Sequence, residues 1–478
     1  MTRRVTIFRA VAILLALVAS LRAQPVNPNI HINNLTGVNG QASGAPSNLA
    51  AVYLPLGCST TGSSTTINAP THGMGAYPTD GSSALWVNAA SGRRWSKITG
   101  FPDGDHITVE DAFNLGAAVD CAVGGKIAGT LRNVTRLCED PKAGWTITLE
   151  HTGTDYTDSG ASCNLAVTGS TATQGRPVVR GDDPDNPTRI LWGSNNQYLQ
   201  QAGSSSWKFE NLDLVKNAAG TTGAPIILPN LGGVLKNIRV SNQTGQWNSA
   251  YIDGGSPGVV LLSLFSGAFA VNCRTLDDDD LVIGNFFDLC SGSGAAITLS
   301  GAGVFLFNLL DNGGANVDGI DADGVVLFNT LLNIGRSAVS VNTASTSVFS
   351  GNLIGEGSTL GGNCFDTATS GSSELGGDGE PHVFWQGNNA HTCPTSRYNA
   401  DLTSSPQGKA LDIDAGSGAD PSFTDSGASN FFPLNAAMKS DTVFPGLAFP
   451  FQTTAAPVSV PTAGAAQRLP AGASAYAF

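Results

Sequence analysis

The sequence predicts an all-β protein whose central region is a stack of three-strand coils, and three observations predict it. Glycine is 59 of 478 residues while Asp, Glu, Lys and Arg together make only 13%, so turn formers abound and long helix-forming stretches are nearly absent. Written as rungs, the centre reads "LKNIRVSNQT", "GVVLLSLFSG", "DLVIGNFFDL", "GVFLFNLLDN", "GVVLFNTLLN" and "SVFSGNLIGE". One small polar residue recurs in them as Ser241, Ser263, Asn285, Asn308, Asn329 and Asn352, at separations of 22, 22, 23, 21 and 23 residues. That period is one coil of three short strands, and the apolar residues around each polar one are phased as a strand with one buried face requires.

Residues 1–23, "MTRRVTIFRAVAILLALVASLRA", give a basic start at Arg3, Arg4 and Arg9, a short apolar run and small residues at its end. This is the pattern of an export signal, too short and wrongly flanked for a membrane span. Arg3 and Arg4 are a partial match to a twin-arginine signal that the following residues do not complete. Residues 24–104, rich in Gly, Ser, Asn and Thr, read as an irregular N-terminal extension. "VEDAFNLGAAVDCAVGG", from Val109, has the apolar spacing of a short amphipathic helix, placed to cap the open end of a coil stack. Residues 446–478 are Ala- and Pro-rich and read as a flexible tail.

In the coils, an Asn at one position of each rung is expected to stack on the Asn of the next, about 4.8 Å away, as an internal ladder that satisfies buried polar groups. A second strand follows about a dozen residues later in each rung. Its inward candidates are Ile252, Cys273, Ile297, Ile320, Val339 and Phe365.

Eight cysteines, an even number with no C-x-x-C pair, point to disulfides in an exported chain; Cys121 with Cys138 and Cys364 with Cys393 are the neighbouring pairs. A net charge of −13 disfavours nucleic acid and anionic membrane as partners, because phosphates are bound mainly by Lys and Arg. It leaves room for an acidic polysaccharide held by a local basic site or a cation.

The rungs resemble the right-handed parallel β-helix of the pectate-lyase-like superfamily. Upstream, "RPVVRGDDPDNPTRILWG" and "WKFENLDLVKN" are similar to early coils of such proteins, and "GADPSFTDSGASNFFPL" is similar to their closing segment. The resemblance covers residues 105–445. It implies a protein exported to the periplasm, cell surface or medium that binds or depolymerises polysaccharide.

Within that resemblance, "NVDGID" is similar to the polygalacturonase motif N-T-D-G-I-D, with Asn316 and Asp318 at matching places. The family's following Asp pair is here Arg336 and Ser337, and none of the six histidines lies between glycines as that family requires. Inverting hydrolysis needs both an acid and a base, and Asp318 alone does not supply both. The lyase form of the resemblance fits better. It implies catalytic roles for Arg274, Asp318, Asp321 and Arg336, and Ca²⁺ held by Asp279, Asp280, Asp321 and Asp323, since Ca²⁺ takes oxygen ligands in flexible geometry.

The bland reading stands beside each: "DDDD" at residues 277–280 serves as turn chemistry, and Trp192, Trp207, Trp247 and Trp385 as packing rather than sugar platforms. The expected function is therefore a uronate polysaccharide lyase or glycan binder. The alternative is a non-catalytic adhesive or structural β-helix at the cell surface. A phage tail-spike-like depolymerase is a third reading, disfavoured by the export signal and by the lack of a trimerising coiled segment.

Overall fold

The computed structural model describes residues 27–32, 52–89, 92–123, 144–158, 163–165, 176–192, 199–201, 206–222, 224–228, 233–247, 251–253, 258–266, 274–276, 281–288, 295–299, 303–311, 318–322, 324–333, 339–341, 347–355, 365–367, 383–386, 389–390, 423–425 and 430–433. Every regular element among them is a strand. None is a helix long and apolar enough to cross a membrane. The export signal and the Ala/Pro-rich tail lie outside the described residues.

The chain forms a parallel β-solenoid. A nineteen-stranded sheet carries two series of strands that meet at a bend, and a separate nine-stranded parallel sheet carries a third series. In the first series Val259 pairs with Leu281, Leu281 with Val304, Val304 with Val325 and Val325 with Val348. In the second, Phe265 pairs with Phe287, Phe287 with Leu310, Leu310 with Leu331 and Leu331 with Ile354.

Alternation along each strand separates inside from outside. Val179, Phe209, Leu235, Val260, Val282, Phe305 and Val326 form one buried column; Ile190, Leu214, Val240, Phe265, Phe287, Leu310 and Leu331 form the other. Phe265, Phe287 and Phe305 run as a stack inside, with ring centroids 4.9 and 6.0 Å apart.

The bend between the two series is built from one residue per coil with positive φ: Asn211, Asn237, Leu262, Gly284, Phe307, Phe328 and Gly351. Only Gly adopts this conformation freely, and two of the seven places are Gly. The next residue on each coil is the ladder residue. Asn285, Asn308 and Asn329 each donate from the backbone N–H to the side-chain oxygen of the Asn one coil on, at 2.9, 2.7 and 3.0 Å, and those bonds span 23, 21 and 23 residues. Their side-chain amides also bond forward to that oxygen and back to the carbonyls of Val260, Val282 and Phe305. The Asn ladder expected from the sequence is present.

Its lower end is not where the sequence placed it. Ser263 accepts from the N–H of Ile238, so Ile238 and not Ser241 occupies the ladder row on the coil below. The third series shows a similar one-residue offset. Tyr251 and Arg274, not Ile252 and Cys273, pair into the row of Ile297, Ile320, Val339 and Phe365.

Within the extension expected to be irregular, the described residues are largely strand. Six strands from Val52–Cys58 to Val119–Val123 form an antiparallel sheet with its own apolar core, including Ile67, Met74, Leu85, Val87, Ile98, Ile107 and Phe113. It is an insertion: Asn29–Ile32, ahead of it in the chain, pairs parallel with Thr146–Leu149 of the solenoid, behind it.

The stretch expected to be a capping helix forms the strands His106–Asn114 and Val119–Val123 of that sheet. Val109 and Phe113 fit a helical spacing of four and a strand spacing of two alike, and pairing with Ser63–Asn68 and Gly92–Asp103 decides for the strand. Cys121 is bonded to Cys58, with Cα atoms 5.9 Å apart, instead of to its near neighbour Cys138. Cys138, Cys364 and Cys393 lie outside the described residues.

Candidate functional site

The expected site residues distribute as follows. Arg274 opens the strand Arg274–Leu276 and pairs with Tyr251 on one side and Ile297 on the other. Asp318 opens Asp318–Ala322 opposite Ala295, and Asp321, later in the same strand, lies between Thr298 and Ser340. The fold thus places Arg274 on one strand of the nine-stranded sheet and Asp318 and Asp321 together on another, with Ala295–Leu299 between them. Arg274 takes the row of Ile320, one position from the row of Asp321. Arg336, Asp279, Asp280 and Asp323 lie outside the described residues.

The row of Asp321 is polar over five coils. Thr275, Thr298, Asp321, Ser340 and Asp366 pair in sequence. The adjoining row holds Ile297, Ile320, Val339 and Phe365, of which Ile320 is wholly buried.

A second polar row, missed in the sequence, closes the strands of the second series. Ser266 pairs with Asp288 and Asp288 with Asp311, all half-buried. The Ser266 hydroxyl donates to Asp288 at 3.1 Å and the Asn333 amide donates to Asp311 at 2.9 Å. Beside them stand half-buried Leu264 and Phe286 and buried Leu309 and Leu332. The signal was legible: "NFFD" and "NLLD" place an Asp three residues after the ladder Asn on two successive rungs. Each of these strands is followed by the connection that leads to the nine-stranded sheet, and Arg274 and Asp318 are the first strand residues beyond two of those connections.

Trp192, Trp207 and Trp247 are buried, and the packing reading holds for them. Trp247 donates from its indole N–H to the Ser241 carbonyl at 3.1 Å, with the Lys216 ammonium 5.2 Å from its ring centroid. Among the described residues no three His, Cys, Asp or Glu side chains gather as a metal site.

No family model matches this chain, and no curated protein does. Two solved structures are similar to it in shape. One is the PL6 family polysaccharide lyase Pedsa3628 from Pseudopedobacter saltans, at 10% identity and TM-score 0.30, over 62% of this chain and 94% of that one. The other is a mutant of the PL6 family alginate lyase AlyGC, at 11% identity and TM-score 0.24, over 57% of this chain and 52% of that one.

Proposed function

We propose that this chain is an exported protein that binds an acidic polysaccharide along the side of a right-handed, three-strand-per-coil solenoid and cleaves it by β-elimination. The observation that carries the reading is the repetition of hydroxyl and carboxylate side chains at one register position on successive coils, Thr275, Thr298, Asp321, Ser340 and Asp366. A polymer with a short repeat is matched by a surface with a short repeat, and strands about 4.8 Å apart are close to the rise of one sugar in an extended chain.

Elimination removes the C5 proton of a uronate, breaks the bond from C4 to the glycosidic oxygen and forms a C4–C5 double bond. It needs the carboxylate neutralised and a base for the proton. We assign these tasks to Arg274, Asp318, Asp321 and Arg336. The row of Asp321 offers only oxygen donors, the class Ca²⁺ takes, and Asp279, Asp280 and Asp323 complete the proposed ligand set. When bound, the ion supplies charge neutralisation at the uronate carboxylate.

The test is ultraviolet absorbance of the unsaturated uronate product, with polygalacturonate, alginate and chondroitin as substrates, with Ca²⁺ or with chelator. Product that disappears in Arg274→Ala and Asp321→Ala supports the reading. The second reading, binding without cleavage at a cell surface, rests on the unbroken length of the polar row from Thr275 to Asp366; it predicts retention on the same glycans with no product.

A further inference from the structure

Three early coils, those of Val178–Gly181, Lys208–Thr222 and Val234–Trp247, carry a pattern of charge that the later coils do not. In the first strand series Arg180, Glu210 and Lys236 share one register row; in the second series Arg189, Asp213 and Arg239 share another. Both rows read cation, carboxylate, cation. On the next coil the same rows continue as Leu261 and Leu264. These positions alternate with buried Val179, Phe209 and Leu235 and with buried Ile190, Leu214 and Val240, so they face outward.

The acids in the middle are already held. Lys208 Nζ lies 2.6 Å from Glu210, and Arg189 lies 3.7 Å from both Asp213 and Asp155. Arg180 donates from Nε to the Thr148 hydroxyl at 3.2 Å. Lys236 and Arg239 are exposed and make no ion pair with a described residue. In and beside the two rows five cations (Arg180, Arg189, Lys208, Lys236, Arg239) stand with three carboxylates (Asp155, Glu210, Asp213), and the connection between Arg180 and Arg189 adds exposed Asp182 and Asp185 and half-buried Asp183.

We propose that the outer face of these three coils is a separate binding site for a linear anionic polysaccharide, laid along the solenoid axis across Arg180 and Lys236 in one row and Arg189 and Arg239 in the other. Like charges in each row are two coils apart, about 9.6 Å at a strand spacing of ~4.8 Å. That matches the repeat of a disaccharide in an extended chain, so a glycan acidic on every second sugar meets both cations of a row. A nucleic-acid duplex, with one charge per ~1.7 Å of axis, has no such match. The proposal shares with the proposed function only the class of polymer; the residues are different, so the two fail separately.

The experiment is affinity electrophoresis of the full-length mature protein in gels containing chondroitin sulfate, polygalacturonate, neutral dextran or duplex DNA. Wild-type protein is retarded by the two acidic glycans and not by dextran, and retardation fades as salt shortens the screening length. The K236E/R239E double variant loses about tenfold in affinity. Both substituted side chains are exposed, and an unchanged thermal melt together with retained binding by K236R/R239K establishes that charge and not folding was removed. Undiminished binding by K236E/R239E overturns the proposal, as does equal retardation by dextran or by DNA. Loss of elimination activity with this binding intact counts against the proposed catalysis alone.

Discussion

Asn308 uses its side chain at both ends: the amide donates to the Val282 and Leu306 carbonyls and to Asn329, while the oxygen accepts from the backbone and side chain of Asn285. Asn308→Ala leaves buried donors and acceptors unpaired at roughly 1–3 kcal/mol each, so a loss of about 3 kcal/mol in urea unfolding is expected. The positive-φ corner gives a prediction of opposite sign. Leu262 is 47% exposed at φ +50, a conformation that costs a non-glycine residue about 1–2 kcal/mol and that Asn tolerates better. Leu262→Asn should raise the melting temperature, whereas Phe328→Asn at the same kind of corner should lower it. Phe328 is buried against Phe307 with ring centroids 5.4 Å apart. The ladder was legible because only Asn repeats an amide at the coil period. Its lower end was not, because Ser241 has the right separation but the wrong register, and only strand pairing reveals Ile238 in its place.

At the scale of the element, the antiparallel insertion rests on a core of its own and on the Cys58–Cys121 bond, which closes a loop of 63 residues. In the chain-entropy account such a closure stabilises by about 4 kcal/mol. Cys58→Ser should therefore lower an unfolding transition belonging to the insertion, measured by calorimetry, and leave the solenoid's own transition in place. The early coils carry a pH dependence. Burial holds Asp213 above its ordinary carboxylate range, outweighing the attraction of Arg189 and Arg239. Its favourable contribution is thus full below the unfolded carboxylate value of about 3.9 and is lost as pH rises through the raised folded value. Compared with Asp213→Asn, the wild type should lose stability over that rise, read as the difference between the two melting curves. The insertion was illegible as structure because its strands lack a long apolar alternation, and because pairing partners such as Val52 and Val123 are far apart in sequence.

At the scale of the molecule, a solenoid turns a repeat in sequence into a repeat on a surface, so a function written along its side must itself be periodic. Four rows meet that condition: Ser266, Asp288 and Asp311 at the end of the second strand series, Thr275 to Asp366 on the nine-stranded sheet, and the two charged rows of the early coils. The fold class was legible because the coil period is set by local strand and turn lengths. The placement of Arg274 relative to Asp318 and Asp321 was less so, because it is set by register, and register is a property of paired strands that a single strand does not carry. The most direct measurement is calorimetric titration of the protein with acidic oligosaccharides of increasing, defined length. A surface of stacked coils predicts affinity that climbs with each added sugar and levels off once the oligosaccharide spans the rows. Heats that are absent at every length, or an affinity indifferent to length, would contradict the account.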